Sequence, residues 1–125
     1  MTEYFIAFHD EWVPELTEED FRRALRETRA LKEEMRAAGV LIFTGGLDDA
    51  APVFSADASS GTPLSTDGPF IETKEHLGGF AVVDVADDAA ARLWAGKIAV
   101  ACGWPQEVRR FGRMPDDTDT TPEET

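Results

Sequence analysis

The sequence lacks several features on which large classes of proteins depend. Cys102 is the only cysteine in 125 residues, so no disulfide can form within the chain, and a reducing, intracellular compartment is expected. No apolar run approaches the roughly 18 residues needed to span a bilayer. The first residues have neither the basic nor the apolar segment of a signal peptide. Together these absences predict a cytoplasmic protein.

Positive charge is also scarce. Twelve lysines and arginines stand against 25 acidic residues, and the net charge is −13. This balance argues against nucleic acid and against membrane surfaces as partners, because both attract basic patches. Two distant histidines and one cysteine offer no zinc spacing, and neither glycine pair has the spacing or the lysine of a phosphate-binding loop. We therefore expect no cofactor and no metal, although a site built only from carboxylates is left open.

What the sequence does contain is a set of short apolar runs typical of buried strands. Apolar residues that continue without alternation indicate strands buried on both faces. Such runs lie at residues 4–9, 40–44 and 80–85. Residues 53–55 are a short further candidate, and residues 106–111 are predicted to form the last strand. Gly45-Gly46 is predicted to end the second of these strands.

Two amphipathic helices separate the strands. Thr17 is followed by three acids in an N-cap pattern, and this helix is predicted to stop at Gly39. A second helix is predicted from about Asp87 to Gly103. Their apolar faces comprise Phe21, Leu25, Thr28, Leu31 and Met35 in the first, and Ala90, Trp94, Ile98 and Ala101 in the second. Residues 1–112 are predicted to form one domain, and residues 113–125 a disordered acidic tail.

Turn residues, charges and aromatics are densest between Thr66 and Phe80. Asp67-Gly68-Pro69 predicts a turn, and residues 73–76 are predicted to form one helical turn that Gly78-Gly79 stops. The segment reads Asp67-Gly68-Pro69-Phe70, then Glu72-Thr73-Lys74-Glu75, then Leu77-Gly78-Gly79-Phe80. It resembles the motif of the YCII-related (DGPF-domain) family, and the resemblance extends over roughly residues 3–112.

The order of the predicted elements is that of a ferredoxin-like α+β domain, β-α-β-β-α-β, with an antiparallel sheet. Two helices cover only one face of such a sheet, yet the strands are apolar on both faces, so a second copy packed sheet to sheet is expected. The family resemblance implies the same arrangement, a dimeric α+β barrel with a pocket between each sheet and its neighbours. We predict a homodimer that binds a small-molecule ligand.

His9 is the first candidate for chemistry, because it ends a buried strand and is followed by Asp10 and Glu11. Histidine is the usual general base near neutral pH, and a carboxylate can orient it. A strand-end histidine with an ordinary hydrogen bond fits the same sequence, so both interpretations stay open. Wider relatives are thought to use a His–Asp pair, and the resemblance implies Asp67 as the partner of His9 or as a substrate contact. Asp67 also fits as a turn residue.

The loop after the turn carries a compact set of charges. A lysine between two glutamates is usually a solvated cluster that adds little stability. If the loop folds over a pocket, Lys74 binds an anionic group. The residues predicted to contact substrate are Lys74, Glu72, Phe70 and Trp12.

Four other residues have predicted roles that are mainly structural. His76 is expected to be structural or exposed, and Cys102 to be a small buried side chain in the second helix. Asp84 lies inside an apolar strand, where its carboxylate must be paired or reach the strand edge. Trp104 lies in a loop, where it lines either a pocket or a dimer seam.

Two functions from different classes fit these observations. The first is a small cofactor-independent enzyme in which His9 is the base, Asp67 orients it or acts as an acid, and Lys74 holds an anionic or phenolic substrate. Its reaction is a proton-transfer isomerisation or an elimination, as similar folds catalyse for muconolactone and chlorinated aromatics. The second is a ligand-binding or regulatory dimer without turnover, since family members often occur with extracytoplasmic-function sigma factors.

Overall fold

The computed structural model describes residues 1–113, and the predicted tail lies, apart from Arg113, outside the described residues. In this part of the chain the strands are Thr2–His9 (β1), Leu41–Gly46 (β2), Phe54–Asp57 (β3), Leu64–Asp67 (β4), Leu77–Val85 (β5) and Glu107–Arg110 (β6). The helices are Glu18–Ala37 (α1) and Asp88–Cys102 (α2), and a single 3-10 turn, Asp10–Trp12, follows β1.

A four-stranded antiparallel sheet in the order β2-β5-β1-β6 forms the body of the domain. This order confirms the predicted ferredoxin-like α+β fold. The other two strands, β3 and β4, pair only with each other, in a hairpin inserted between β2 and β5. The hairpin therefore extends the fold with a second, two-stranded sheet.

The two helices pack on one face of the main sheet. Side chains alternate along β1, so Tyr4 and Ile6 enter the core beside Val83 of β5, while the residues between them face the other side. The core is completed by Met35, Val85, Ala91 and Ala95. The Tyr4 hydroxyl also donates a hydrogen bond to the carboxylate of Asp88, which ties β1 to the first turn of α2.

The opposite face of the sheet carries a cluster of aromatic rings. Phe5 and Phe80 lie with ring centroids 5.2 Å apart, and Phe43 and Phe111 extend the cluster at 5.8 and 6.2 Å. Phe43 is 58% exposed and Phe111 49%. Asp84 shares this face, and one of its carboxylate oxygens is buried without a hydrogen-bond partner among the described residues. Within residues 1–113, this oxygen therefore lacks the pairing expected for Asp84.

The helix ends follow the predicted capping pattern. The Thr17 hydroxyl accepts a hydrogen bond from the Asp20 amide, and the Asp20 carboxylate accepts one from the Thr17 amide. The Asp87 carboxylate accepts from the Ala90 amide, and Gly103 ends α2 with φ of +99°. These contacts confirm both predicted helix starts.

The apolar faces that were predicted for the two helices are only partly buried in the structure. On α1, Met35 is buried, whereas Phe21 and Leu25 stay about half exposed because a cavity separates this half of the helix from the sheet. On α2, the deepest residues are Ala91, Ala95 and Cys102, while the predicted Ala90, Trp94 and Ile98 pack only partly against the core.

Both glycine pairs were predicted to end or stop an element. Gly45-Gly46 are the last two residues of β2, which confirms that prediction, whereas Gly78-Gly79 lie inside β5 and stop no helical turn, so that prediction is wrong. Gly46 lies opposite Gly79 in the sheet. Neither pair has positive φ; Gly78 is needed for space. A Cβ on Gly78 would lie 2.7 Å from the Phe8 ring and 2.5 Å from an Asp10 carboxylate oxygen.

The helical turn predicted at residues 73–76 is absent from the structure, because other contacts use the backbone there. The His76 amide donates to the Glu11 carboxylate, and the His76 carbonyl accepts from the Asp10 amide. The Glu75 amide donates to the Thr73 hydroxyl. The 3-10 turn after β1 thus holds this loop in a non-helical path.

We expect Gly78→Ala to destabilise the fold by about 1–3 kcal/mol, because the added methyl overlaps the Phe8 ring in a packed environment. The matched control is Gly96→Ala in α2, where nothing lies within 4 Å of the new methyl. That change should gain about 0.5–1 kcal/mol from helix propensity. Chemical denaturation measures both, and equal effects of the two substitutions would contradict the packing role of Gly78.

Candidate functional site

The end of β1 and the turn after it bring together two of the residues predicted to carry chemistry. The rings of His9 and Trp12 lie 4.7 Å apart and 30° from parallel. Glu75 approaches from the loop before β5, with its Oε2 3.7 Å from His9 Nδ1. That is an ion-pair separation longer than a hydrogen bond, and His9 Nδ1 is buried without a hydrogen-bond partner among the described residues. His9, Trp12 and Glu75 form what we call the His9 group.

A second histidine–carboxylate pair supports the same loop. Glu11 accepts a hydrogen bond of 2.6 Å from the His76 amide, and its other oxygen lies 3.0 Å from His76 Nδ1. The side-chain contact first, and the amide contact second, hold the pKa of Glu11 below its ordinary value of 4.5. His76 is thus a structural residue as well as an exposed one, and its partner Glu11 was not predicted.

Asp67 makes no contact with the His9 group within the described residues. It ends β4 opposite Phe54 and is exposed, and its carboxylate has no hydrogen bond or ion pair in residues 1–113. The turn after it is formed by Gly68, at φ of +87°, whose amide donates to the Val53 carbonyl. The turn-making role of this segment is observed, whereas a His9–Asp67 contact is not formed within one chain.

The other predicted substrate contacts lie in the same exposed segment. Phe70 is 70% exposed, and neither Glu72 nor Lys74 makes a hydrogen bond or ion pair within the described residues. None of the three lines the main cavity of the fold. Their role in binding stays a prediction.

The cavity lies between α1 and the helix-covered face of the sheet, and its volume is about 450 Å³. Its lining is mostly apolar. The apolar side chains include Phe8, Phe21, Leu25, Leu31, Leu41 and Ile98. Phe8 contributes from β1, so the cavity and His9, its neighbour in sequence, lie on opposite faces of that strand.

A few polar side chains also line the cavity. The Thr44 hydroxyl donates to the Phe80 carbonyl at 3.0 Å, and the Gln106 amide donates to Cys102 Sγ at 3.3 Å. Trp104 packs edge-on against Phe8, and its indole N–H is buried without an acceptor among the described residues. Trp104 thus lines the cavity, which is one of the two roles predicted for it.

Cys102 is buried, as predicted, and burial raises the pKa of its thiol. The thiol is therefore protonated at neutral pH and a poor nucleophile.

Two cations of α1, Arg29 and Lys32, complete the lining. The sequence analysis missed them because α1 carries charges on most of its surface. The available signal was their position: Arg29 follows Leu25 by four residues and Lys32 follows Thr28 by four, beside the apolar face.

Within residues 1–113, no three histidine, cysteine, aspartate or glutamate side chains gather where they could hold a metal ion. In the same residues, no helix combines the length and the apolar character needed to cross a membrane.

The family of the chain follows from a comparison with models of known protein families. A model of the YCII-related domain matches residues 9–111. The chain belongs to the YCII-related family. No curated protein gives a significant match to it. The YCII-related match spans the His9 group, the hairpin and all of the cavity lining except Ile6 and Phe8.

We expect the carboxyl pKa of Glu11 to lie below 4.5 and to rise in His76→Ala. The rise should be partial, because the backbone amide of residue 76 still donates to Glu11. A lowered folded-state pKa means that this contact stabilises the fold above the unfolded-state pKa and is lost as pH falls through the folded-state pKa. Carboxylate-detected NMR titration measures the shift. Lys74→Ala is the control in the same loop, and an equal rise there would contradict the assignment to His76.

Proposed function

We propose that this YCII-related protein binds a small organic molecule in the cavity between α1 and the sheet. The observation that carries the proposal is the cavity itself. Its volume of about 450 Å³ falls within the range of small-molecule sites, and its lining is mostly apolar with a few polar groups. Protein interiors are otherwise close-packed, so a space of this size beside half-exposed Phe21 and Leu25 is better explained by an occupant than by loose packing.

The chemistry of the lining favours binding over turnover. A proton-transfer reaction needs a general acid or base that titrates near neutral pH. The residues that line the cavity include no histidine, aspartate or glutamate. Their one cysteine is Cys102, whose thiol pKa is raised by burial. A ligand in this cavity therefore meets groups that can hold it but none suited to moving a proton.

Proton transfer at the His9 group is a second candidate function. One observation favours it: His9 Nδ1 is shielded from solvent, unpaired, and 3.7 Å from a glutamate oxygen. If the His9 group is catalytic, Glu75 orients His9, which is the role that was predicted for Asp67. The substrate would then bind on the opposite side of β1 from the cavity, against Trp12.

We also propose that the protein is a homodimer that joins through the aromatic face of the main sheet. Phe43 and Phe111 leave about half of their surface exposed there, beside Phe5 and Phe80. No helix of the described chain covers this face. Burying the exposed apolar area against a second copy supplies a favourable free energy of roughly 25 cal/mol per Å².

We expect ligand binding to the cavity to be blocked by Ala24→Phe. Ala24 is buried and lines the cavity, so the larger ring fills the space that a ligand would occupy. The control is Ala37→Phe, at an exposed position at the end of the same helix. NMR screening with a panel of small aromatic and aliphatic molecules measures binding through the Trp104 indole N–H. Binding that persists unchanged in Ala24→Phe would contradict the cavity as the site.

The same screen, run in D₂O, separates the second candidate from the first. Turnover at the His9 group predicts that carbon-bound protons of a bound molecule exchange with solvent in the native protein. Exchange should then stop in His9→Gln and continue in His76→Gln. If no bound molecule exchanges, the proton-transfer candidate is wrong and the binding function stands.

We expect Phe43→Glu to convert the dimer to a monomer without unfolding it, because this side chain is already 58% exposed in the single chain. A charge in the centre of an apolar seam cannot be solvated after association. Phe54→Glu is the control, since Phe54 is 73% exposed but belongs to the separate hairpin. Sedimentation velocity measures the assembly. A native chain that sediments as a monomer at micromolar concentration would contradict the dimer.

A further inference from the structure

We infer that the cavity selects an apolar anion, a carboxylate or phenolate carried on an aromatic or aliphatic body. This inference rests on the proposed function, since it names the class of ligand for that same cavity. Two observations support it: the distribution of charge around the cavity, and one buried hydrogen-bond donor that lacks an acceptor.

The charge around the cavity is the reverse of the charge of the protein. Acidic residues outnumber basic ones by 25 to 12 in the chain, yet the cavity lining includes two cations, Arg29 and Lys32, and no carboxylate. Because the charged residues at its border are all cations, this apolar space attracts a negatively charged ligand, and it has no carboxylate that would repel one. The border is therefore electrostatically suited to an anion.

Arg29 and Lys32, like Arg23 and Arg26 but unlike Arg22 and Arg36, have no partner within the described residues. On the same helix Arg22 pairs with Glu18, and Arg36 with Glu33 at 2.9 Å. Arg29 and Lys32 have no hydrogen bond or ion pair within residues 1–113.

Spacing along the helix explains the missing pairs. Arg29 and Lys32 are three residues apart, a separation at which like charges repel. The one acid in position to relieve Arg29 is Glu33, and its carboxylate is occupied by Arg36. An anion placed between the two cations would remove the repulsion and supply both with a partner.

A third donor points to the same class of ligand. The Trp104 indole N–H is buried without an acceptor, and indole nitrogen can only donate. Leaving a buried donor unsatisfied is costly, so a ligand oxygen able to reach this nitrogen would be stabilised by it. A carboxylate offers two such oxygens, whereas a hydrocarbon offers none.

The test compares two probes of the same shape, 4-phenylbutyrate and 4-phenyl-1-butanol, by NMR titration of the native chain. We expect the carboxylate to bind about tenfold more tightly, because charge-assisted hydrogen bonds exceed neutral ones by that order. The preference should disappear in the double variant Arg29→Ala with Lys32→Ala. Both side chains are solvent-accessible, so the fold should tolerate their loss.

The matched control removes two other cations of α1, Arg23 and Arg26, which are exposed and do not line the cavity. The preference for the carboxylate should survive in Arg23→Ala with Arg26→Ala. Equal loss in both double variants would show a general charge effect and overturn the inference.

Failure of the inference and failure of the proposed function give different results. If both probes bind equally, and Ala24→Phe blocks both, the cavity is a binding site without anion selection and only the inference is wrong. If the probes bind but Ala24→Phe blocks neither, the cavity itself is not the site and both proposals fall. If the alcohol shifts cavity resonances and the carboxylate does not, the inference is overturned directly.

Discussion

The antiparallel pairing of β1 with β5 decides which side chains meet on each face of the sheet. It lies at the centre of the sheet, with β2 and β6 added on either side. The register places Tyr4 opposite Val83 in the core and Phe5 opposite Val82 on the aromatic face. Because side chains alternate, the same strand sends Phe8 to the cavity and His9 to the other side. A shift by one residue would exchange the two faces, so the cavity and the aromatic face both depend on this register.

Much of the fold follows from local sequence signals with a direct physical cause. The Thr17 capping box and the Asp87 cap satisfy free amides at helix starts, so their residue types mark the boundaries reliably. The strands are marked by apolar runs. The Gly78-Gly79 pair was misinterpreted because glycine has two uses, conformational freedom and small size. At Gly78 the second applies, and it depends on a ring from another strand that no local pattern reveals.

The candidate sites were harder to predict, because they depend on which segments meet. His9 and Trp12 are near in sequence, and their contact was within reach of local reasoning. Glu75 joins them only through the fold. The cavity was harder still to predict from the sequence, because an empty space has no sequence pattern. The residues around it come from α1, the sheet and the segment after α2. The DGPF segment was a candidate site because of its composition, yet in the structure it begins at the last residue of β4, where the chain leaves the hairpin.

The close contact of Phe8 with the β5 glycines has a consequence for how such sequences can diverge. The ring lies within 3 Å of the position where a side chain on either Gly78 or Gly79 would begin. A related chain that enlarges position 79 is therefore expected to carry a smaller residue at position 8, and one that enlarges position 78 must also move the side chain at position 10. Such a correlation among these positions would report on how closely the end of β1 packs against β5.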